Sequence, residues 1–179
     1  MTSYNDFSQF TAYARIDGAM MGAMWIASFF CFIGEFQAPL LSFVAVALGL
    51  ASIAVGAMRL RIFRDKVFEG YIPFGKATLY SILTYFYAAL LLALAQYVYF
   101  RFIDQGYLIN QYITMLQTPE YAATIKSAYG LEAKQVISLL QTTTAAMRPI
   151  EIAFQFLTLN IILGILLSIP VGALMRRTK

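Results

Sequence analysis

The chain has 179 residues, of which 60% are hydrophobic and only 12% are charged, and its mean hydropathy is +0.69. Because an average soluble domain carries about 25% charged residues, this composition predicts a protein embedded in a lipid bilayer. The absence of histidine excludes Ser-His and Cys-His catalysis and His-ligated zinc, and the single cysteine, Cys31, excludes an internal disulfide and a thiolate metal cage.

The first predicted membrane span covers about residues 11–34. Its charge-free part runs from Gly18 to Gly34 and is extended upstream by further apolar residues, with Arg15 and Asp17 at the interfacial end. Crossing about 30 Å of hydrocarbon takes about 20 apolar residues in a helix. No convincing small-residue cleavage site follows the run, so we expect it to be an uncleaved first span.

Three further spans are predicted at about residues 39–58, 76–101 and 150–175. The connection Glu35 to Pro39 is short, and Pro39 loses no needed hydrogen bond at the start of a helix. We therefore expect the first two helices to form an antiparallel hairpin. The whole chain, residues 1–179, is expected to form a single all-α membrane domain.

The segment RLRIFRDKVFEGYIPFGK, Arg59 to Lys76, separates the second and third spans. It mixes cations with aromatic rings, which is typical of an interfacial anchor: the rings sit at headgroup depth and the charges meet anionic lipid. Nucleic-acid binding uses the same residue types, but a loop held at both ends by spans leaves little free surface. The candidate contacts with anionic lipid are Arg59, Arg61, Arg64, Lys66 and Lys76.

The outer segment, about residues 104–148, lies between the third and fourth spans. Thr118-Pro119-Glu120 predicts a helix start, and Gly130 predicts its end. Tyr121, Ile125 and Tyr129 recur at a spacing of four between them, and a second apolar face follows Leu131. We predict two or three amphipathic helices forming an extracytoplasmic hairpin on the membrane surface.

The distribution of Lys and Arg predicts the orientation. One face would hold Arg15, Arg59, Arg61, Arg64, Lys66, Lys76, Arg176, Arg177 and Lys179, whereas the other holds Arg101, Lys126, Lys134 and Arg148. Because cytoplasmic loops are enriched in Lys and Arg, we expect both termini to be cytoplasmic.

Small residues at a spacing of four mark a candidate contact face on every span, since membrane helices associate through close packing. Such stripes favour a compact bundle over four loosely held anchors. They are Ala14, Gly18 and Gly22; Ala45, Gly49, Ser52 and Gly56; Ala77, Ser81, Thr84 and Ala88; and Asn160, Gly164, Ser168 and Gly172, with Pro170 expected to kink the last span.

A polar seam inside the bundle is the main candidate site. Its members are Gln96, Glu151, Gln155 and Asn160. Interhelical hydrogen bonding explains such residues most simply, and contact with a transported substrate is the alternative. Glu151 and Gln155 beside Glu35 could instead bind a cation or act as acid and base.

An intramembrane enzyme would need a nucleophile such as Ser81, Thr84 or Ser168 joined to an acid in a deep pocket. No spacing of residue types that catalysis demands is evident in the sequence. We predict no catalytic, cofactor-binding or metal-binding residues and no cofactor.

Several segments resemble an uncharacterised family of small four-span membrane proteins found widely in Bacteroidetes, catalogued as domain of unknown function 4199. The similar segments are RDKVFEGYIPFGKA (64–77), YARIDG (13–18), FIDQGY (102–107), where Gln105 replaces the family's usual proline, and GLEAKQ (130–135). The resemblance implies a four-span topology and the cytoplasmic membrane of a Gram-negative cell. It implies no catalytic residues.

The function that we predict is that of a non-catalytic accessory or scaffold subunit of the inner membrane. Its expected partners are membrane lipids and a protein docked on the outer hairpin, whose Tyr and Gln content suits a semi-polar contact; nucleic acid is not expected. Two alternatives stay open. The hairpin could simply cover its own bundle, and the protein could be a small, oligomeric transporter or lipid-handling protein.

Overall fold

The computed structural model describes residues 2–178 and the side chains of residues 8–144 and 146–178; Lys179, counted above among the cytoplasmic charges, lies outside them. The helices are α1 (Thr2–Gly34), α2 (Leu40–Val67), α3 (Phe74–Val98), α4 (Tyr107–Leu116), α5 (Pro119–Tyr129), α6 (Ala133–Ala146) and α7 (Pro149–Met175). A π-helical turn, Tyr99–Ile103, directly follows α3. The described residues form no β-strand, and the all-α class is confirmed.

Four helical stretches are long and apolar enough to cross a membrane, as the sequence predicts. They are Ser8–Gly34, Leu40–Val67, Phe74–Ile103 and Pro149–Met175. The chain divides into two compact units. We call Met1–Ala95 with Phe154–Lys179 the span unit, and Gln96–Ala153 the connecting unit.

Helices α1 and α2 are longer than the apolar runs inside them. The α1 helix begins at Thr2, before the predicted start near Thr11, and α2 continues to Val67 through most of the basic segment that was expected to be a loop. The reason is that helix length is set by backbone hydrogen bonding, and no Gly or Pro occurs between Arg59 and Val67 to end α2. The turn comes only at Glu69 and Gly70, which have φ values of 50° and 89°.

The small-residue stripes lie on the packed faces of the span unit. All their members are buried except Gly49 and Asn160, which are half-buried. An added Cβ at Gly18 of α1 would lie 2.6 Å from Tyr87 Cβ and 2.8 Å from the Thr84 carbonyl oxygen of α3. At Gly164 of α7 it would lie 2.7 Å from Tyr85 Cβ. Glycine therefore permits the close approach of both α1 and α7 to α3.

The connecting unit contains α4, α5 and α6, and each of these helices contacts the other two. As predicted, Pro119 occupies the first turn of α5 and Gly130, with φ 68°, ends it. A capping box between Glu132 and Gln135 starts α6. The Lys126 ammonium lies 2.8 Å from Glu132 and lowers the pKa of that carboxyl from its ordinary value through their hydrogen bond. The hairpin arrangement on the membrane surface stays a prediction.

Candidate functional site

A polar cluster of Asp17, Arg59 and Tyr80 joins three helices of the span unit. The Asp17 side chain on α1 is only 1% exposed. From α2, Arg59 donates through Nε at 2.7 Å and Nη2 at 2.6 Å to Asp17 Oδ1. From α3, the Tyr80 hydroxyl donates to Asp17 Oδ2 at 2.5 Å. We call these three residues the Asp17 cluster.

Aromatic rings enclose the Tyr80 side of the Asp17 cluster. The Phe63 ring stacks on Tyr80 with a centroid distance of 4.0 Å and an interplanar angle of 12°. Phe10 packs edge-on against both rings, at 5.0 Å from Phe63 and 6.0 Å from Tyr80. Because these surroundings are apolar, the Asp17 carboxylate depends on Arg59 and Tyr80 for the interactions that water would otherwise supply.

Helical periodicity brings the three polar side chains to the packed faces. Asp17 shares one face of α1 with the buried Ala14 and Met21. On α2, Arg59 is one turn from the buried Phe63, and on α3, Tyr80 lies on the buried stripe between Ala77 and Thr84. The packed faces that carry the small residues therefore also hold the three polar side chains of the cluster.

The ion pair and hydrogen bonds of the Asp17 cluster link α1 to α2 and α3. Both carboxylate oxygens of Asp17 accept hydrogen bonds, and its charge is balanced by a guanidinium that stays protonated in proteins. Among the described residues, no group of three or more His, Cys, Asp or Glu side chains could hold a metal ion.

Sequence reasoning missed this cluster. It placed Asp17 at a helix end and Arg59 among the lipid contacts. One signal was present: the two residues lie at similar sequence distances from the tight turn at Glu35 to Pro39. In an antiparallel hairpin such positions reach the same depth, and opposite charges at the same depth can pair.

Two residues of the predicted polar seam, Asn160 and Glu151, make hydrogen bonds that are local in sequence. Asn160 Nδ2 donates at 2.8 Å to the Phe156 carbonyl oxygen of its own helix, and Gln155 is exposed. Glu151 is engaged by Arg148, whose Nη2 lies 2.8 Å from Oε1. Gln96 is buried, and its Oε1 has no hydrogen-bond partner among the described residues.

The candidate nucleophiles are each bonded to the preceding turn of their own helix. The Ser81 hydroxyl donates to the Ala77 carbonyl oxygen at 3.1 Å, and the Thr84 hydroxyl donates to that of Tyr80 at 2.9 Å. The Ser168 hydroxyl donates to the Gly164 carbonyl oxygen at 2.6 Å. These bonds satisfy hydroxyl groups in a packed helical interface.

The five candidate lipid contacts have different environments. Arg59 belongs to the Asp17 cluster, and Arg64 is only 4% exposed, donating at 3.0 Å to the Met175 carbonyl oxygen and at 2.8 Å to Asp65. Arg59 and Arg64, which were predicted to contact anionic lipid, therefore make contacts within the protein. Arg61, Lys66 and Lys76 are exposed, and the Lys76 ammonium lies 4.9 Å from the centroid of the Phe68 ring.

Comparison with known proteins identifies one family. A family model described as "Protein of unknown function (DUF4199)" matches residues 17–177. No curated protein and no solved structure matches the chain. The matched residues include the Asp17 cluster, the part of α1 from Asp17 onward, and α4 to α6.

Proposed function

Because the chain belongs to the DUF4199 family of proteins of unknown function, we propose its role from its own geometry: a non-catalytic accessory or scaffold subunit of the inner membrane. In this proposal the segment α4 to α6 is extracytoplasmic and binds a protein partner. The observation that carries the proposal is that α5 has no buried residue. The resemblance to proteins of Bacteroidetes supports an address in the cytoplasmic membrane of a Gram-negative cell.

The exposed surface of α5 and α6 suits a protein contact. Tyr121 is 45% exposed, Tyr129 76% and Leu139 62%. Tyrosine contributes a large apolar area together with a hydroxyl, and it is enriched in protein interfaces. A groove of about 520 Å³ lies between α4, α5 and α6, and it is lined by Leu116, Gln117, Ala122, Glu132, Ala133, Lys134 and Ile137. Such a groove is large enough to accept side chains of a partner.

The close packing inside the span unit supports the scaffold proposal. Its close helix approaches at Gly18 and Gly164 leave no room even for a methyl group without displacement of α3. The Asp17 carboxylate is fully engaged, and the buried hydroxyls of Ser81 and Ser168 bond to their own helices. These groups stabilise a fixed arrangement, as a scaffold requires.

The alternative is a small transporter or lipid-handling protein, and Gln96 is the observation in its favour. The side chain is 3% exposed, and its Oε1 lacks a partner among the described residues. A buried amide oxygen of this kind could accept a hydrogen bond from a polar group of a substrate or lipid.

Affinity purification of the full-length protein in mild detergent, read by mass spectrometry, tests the proposal. We expect a stoichiometric protein partner that is retained by the wild type and reduced about tenfold, a loss of ~1.4 kcal/mol, in a Tyr121→Ser, Tyr129→Ser double variant. Tyr71→Ser is the matched control, because Tyr71 is also 45% exposed but lies in the span unit.

Two outcomes contradict the scaffold role. One is the absence of any stoichiometric partner, and the other is equal recovery of that partner with the double variant and the control. Enrichment of a lipid that disappears in a Gln96→Leu variant would instead favour the alternative.

A further inference from the structure

Two arginines lie close to one carboxylate at the end of α2, and the backbone of a third arginine is held nearby. Asp65 Oδ1 lies 2.8 Å from Arg64 Nε, and Asp65 Oδ2 lies 3.8 Å from Arg61 Nε. The backbone of Arg177 is held near this end of α2 by its bridge to Ile72. We call Arg61, Arg64, Asp65 and Arg177 the arginine cluster.

Two connections hold the C-terminal residues against this end of α2. Arg177 and Ile72 form an antiparallel bridge, in which the Ile72 amide donates to the Arg177 carbonyl oxygen at 2.9 Å and the reverse bond measures 3.1 Å. The buried Arg64 donates to the Met175 carbonyl oxygen at 3.0 Å. The position of Arg177 beside α2 is therefore fixed by the fold, although the two segments are far apart in sequence.

The arginine cluster retains positive charge. A single carboxylate balances only one of its three guanidinium groups, and Glu69 is the other acidic residue between Arg61 and Lys76. Arg61 is 67% exposed and Asp65 is 47% exposed, so the cluster faces outward. Further basic side chains on this segment and the C-terminus are Lys66, Lys76 and Arg176, all exposed.

The length of α2 places the cluster at headgroup depth. The helix has 28 residues, and at 1.5 Å per residue it is about 42 Å long, whereas the hydrocarbon core is about 30 Å thick. Its last turns, which carry Arg61 to Lys66, therefore extend past the apolar layer. Tyr71 in the turn and Phe74 at the start of α3 are 45% and 39% exposed, and both suit the same interface.

We propose that the arginine cluster binds the phosphate of an anionic phospholipid headgroup. In this site Arg61 and Arg177 contact the phosphate, because both are exposed and they come from separate segments, α2 and the residues after α7. Guanidinium groups suit this ligand, since their planar donors match phosphate oxygens. Arg64 and Asp65 are positioning residues, which hold the C-terminus and orient the two contacting arginines. The site is independent of the partner proposed for α4 to α6.

Native mass spectrometry of the full-length protein tests this site. The protein in nonionic detergent is mixed with equimolar phosphatidylglycerol and phosphatidylcholine, and the bound lipids are compared. We expect a preference for phosphatidylglycerol that falls about 25-fold in an Arg61→Gln, Arg177→Gln variant, since each basic residue near an anionic surface contributes about fivefold. Both side chains are exposed, so the bundle should still fold.

The matched control is Arg101→Gln with Lys134→Gln, which removes the same charge from exposed positions of the connecting unit. We expect it to keep the preference. The fluorescence of Trp25, the only tryptophan, reports whether each variant keeps its fold.

Three results would overturn the assignment. The first is the absence of a preference in the wild type, and the second is an equal loss in the cluster variant and the control. The third is displacement of the lipid by millimolar inorganic phosphate, which would show a site for the free ion. None of these results bears on the protein partner, which is tested by the tyrosine variants.

Discussion

At the scale of single residues, Asp17 shows how one charged group is accommodated inside the span unit. Its carboxylate is buried beside aromatic rings, and two other helices supply its donors, from Arg59 and Tyr80. Burying an ion pair gives little net stability, because desolvation opposes the attraction between the charges. Removing one partner is costly, however, because it leaves the other charge uncompensated.

We predict that Asp17→Asn destabilises the protein by about 2 kcal/mol, less than the 3–5 kcal/mol typical of broken buried pairs. The predicted loss of stability is smaller because the Arg59 side chain remains 26% exposed and keeps some hydration. Denaturant titration in detergent, followed by Trp25 fluorescence, measures the loss. An Asp17→Asn, Arg59→Gln double variant should lose less than the single one. Equal losses, or none, would show that the pair does not matter.

At the scale of elements, close helix contacts decide which glycines are required. In α1, Gly18 faces Tyr87 and the Thr84 carbonyl of α3, so a side chain there meets backbone. In α2, Gly49 was assigned by spacing to the same kind of stripe, yet an added Cβ there would meet nothing within 4 Å. Spacing of small residues therefore identifies a contact face, but it does not identify each contact.

These two glycines make a matched pair for a packing test. We predict that Gly18→Ala lowers stability by about 1–3 kcal/mol, because the added methyl forces α1 away from α3. Gly49→Ala should be neutral or stabilising by about 1 kcal/mol, because alanine favours the helix and meets open space. Thermal unfolding in detergent compares them. If both variants unfolded at the same temperature, the α1–α3 approach would not be as close as described.

At the scale of the whole molecule, the protein-partner proposal and the lipid-headgroup proposal both depend on the direction in which the chain is inserted in the membrane. The basic residues concentrate in the last turns of α2, at the start of α3 and after α7, whereas the segment α4 to α6 carries few. The positive-inside rule predicts that the arginine cluster is cytoplasmic and that α5 is extracytoplasmic. A scaffold that binds an extracytoplasmic partner and an anionic headgroup of the inner leaflet requires this direction.

Thiol labelling of intact spheroplasts tests the orientation. In a Cys31→Ser background, which has no other cysteine, we predict that a membrane-impermeant maleimide labels a Tyr129→Cys variant at once. A Lys66→Cys variant should react only after the membrane is permeabilised. Both positions are exposed, so access across the membrane decides the result. Labelling of the Lys66 position alone in intact cells would invert the topology.

Much of the fold follows from local features of the chain. The four apolar runs, the proline and glycine that bound α5, and the stripes of small residues could all be located by counting along the sequence. The ends of α1 and α2 could not, because helical hydrogen bonding continues beyond the apolar residues through Lys66 and Val67. The Asp17 cluster could not be predicted either, because its contacts depend on how α1, α2 and α3 are rotated about their axes.

The sequence by itself determined that the protein is an all-helical membrane chain. The length of an apolar run and the periodicity of its residues are local properties, and they decide for each segment separately whether it enters the bilayer and forms a helix. Only the tertiary structure decided which polar groups meet. Arg59 turns inward to Asp17, and Arg177 pairs through its backbone with Ile72. Such pairs join segments distant in sequence, and their geometry depends on how whole helices pack.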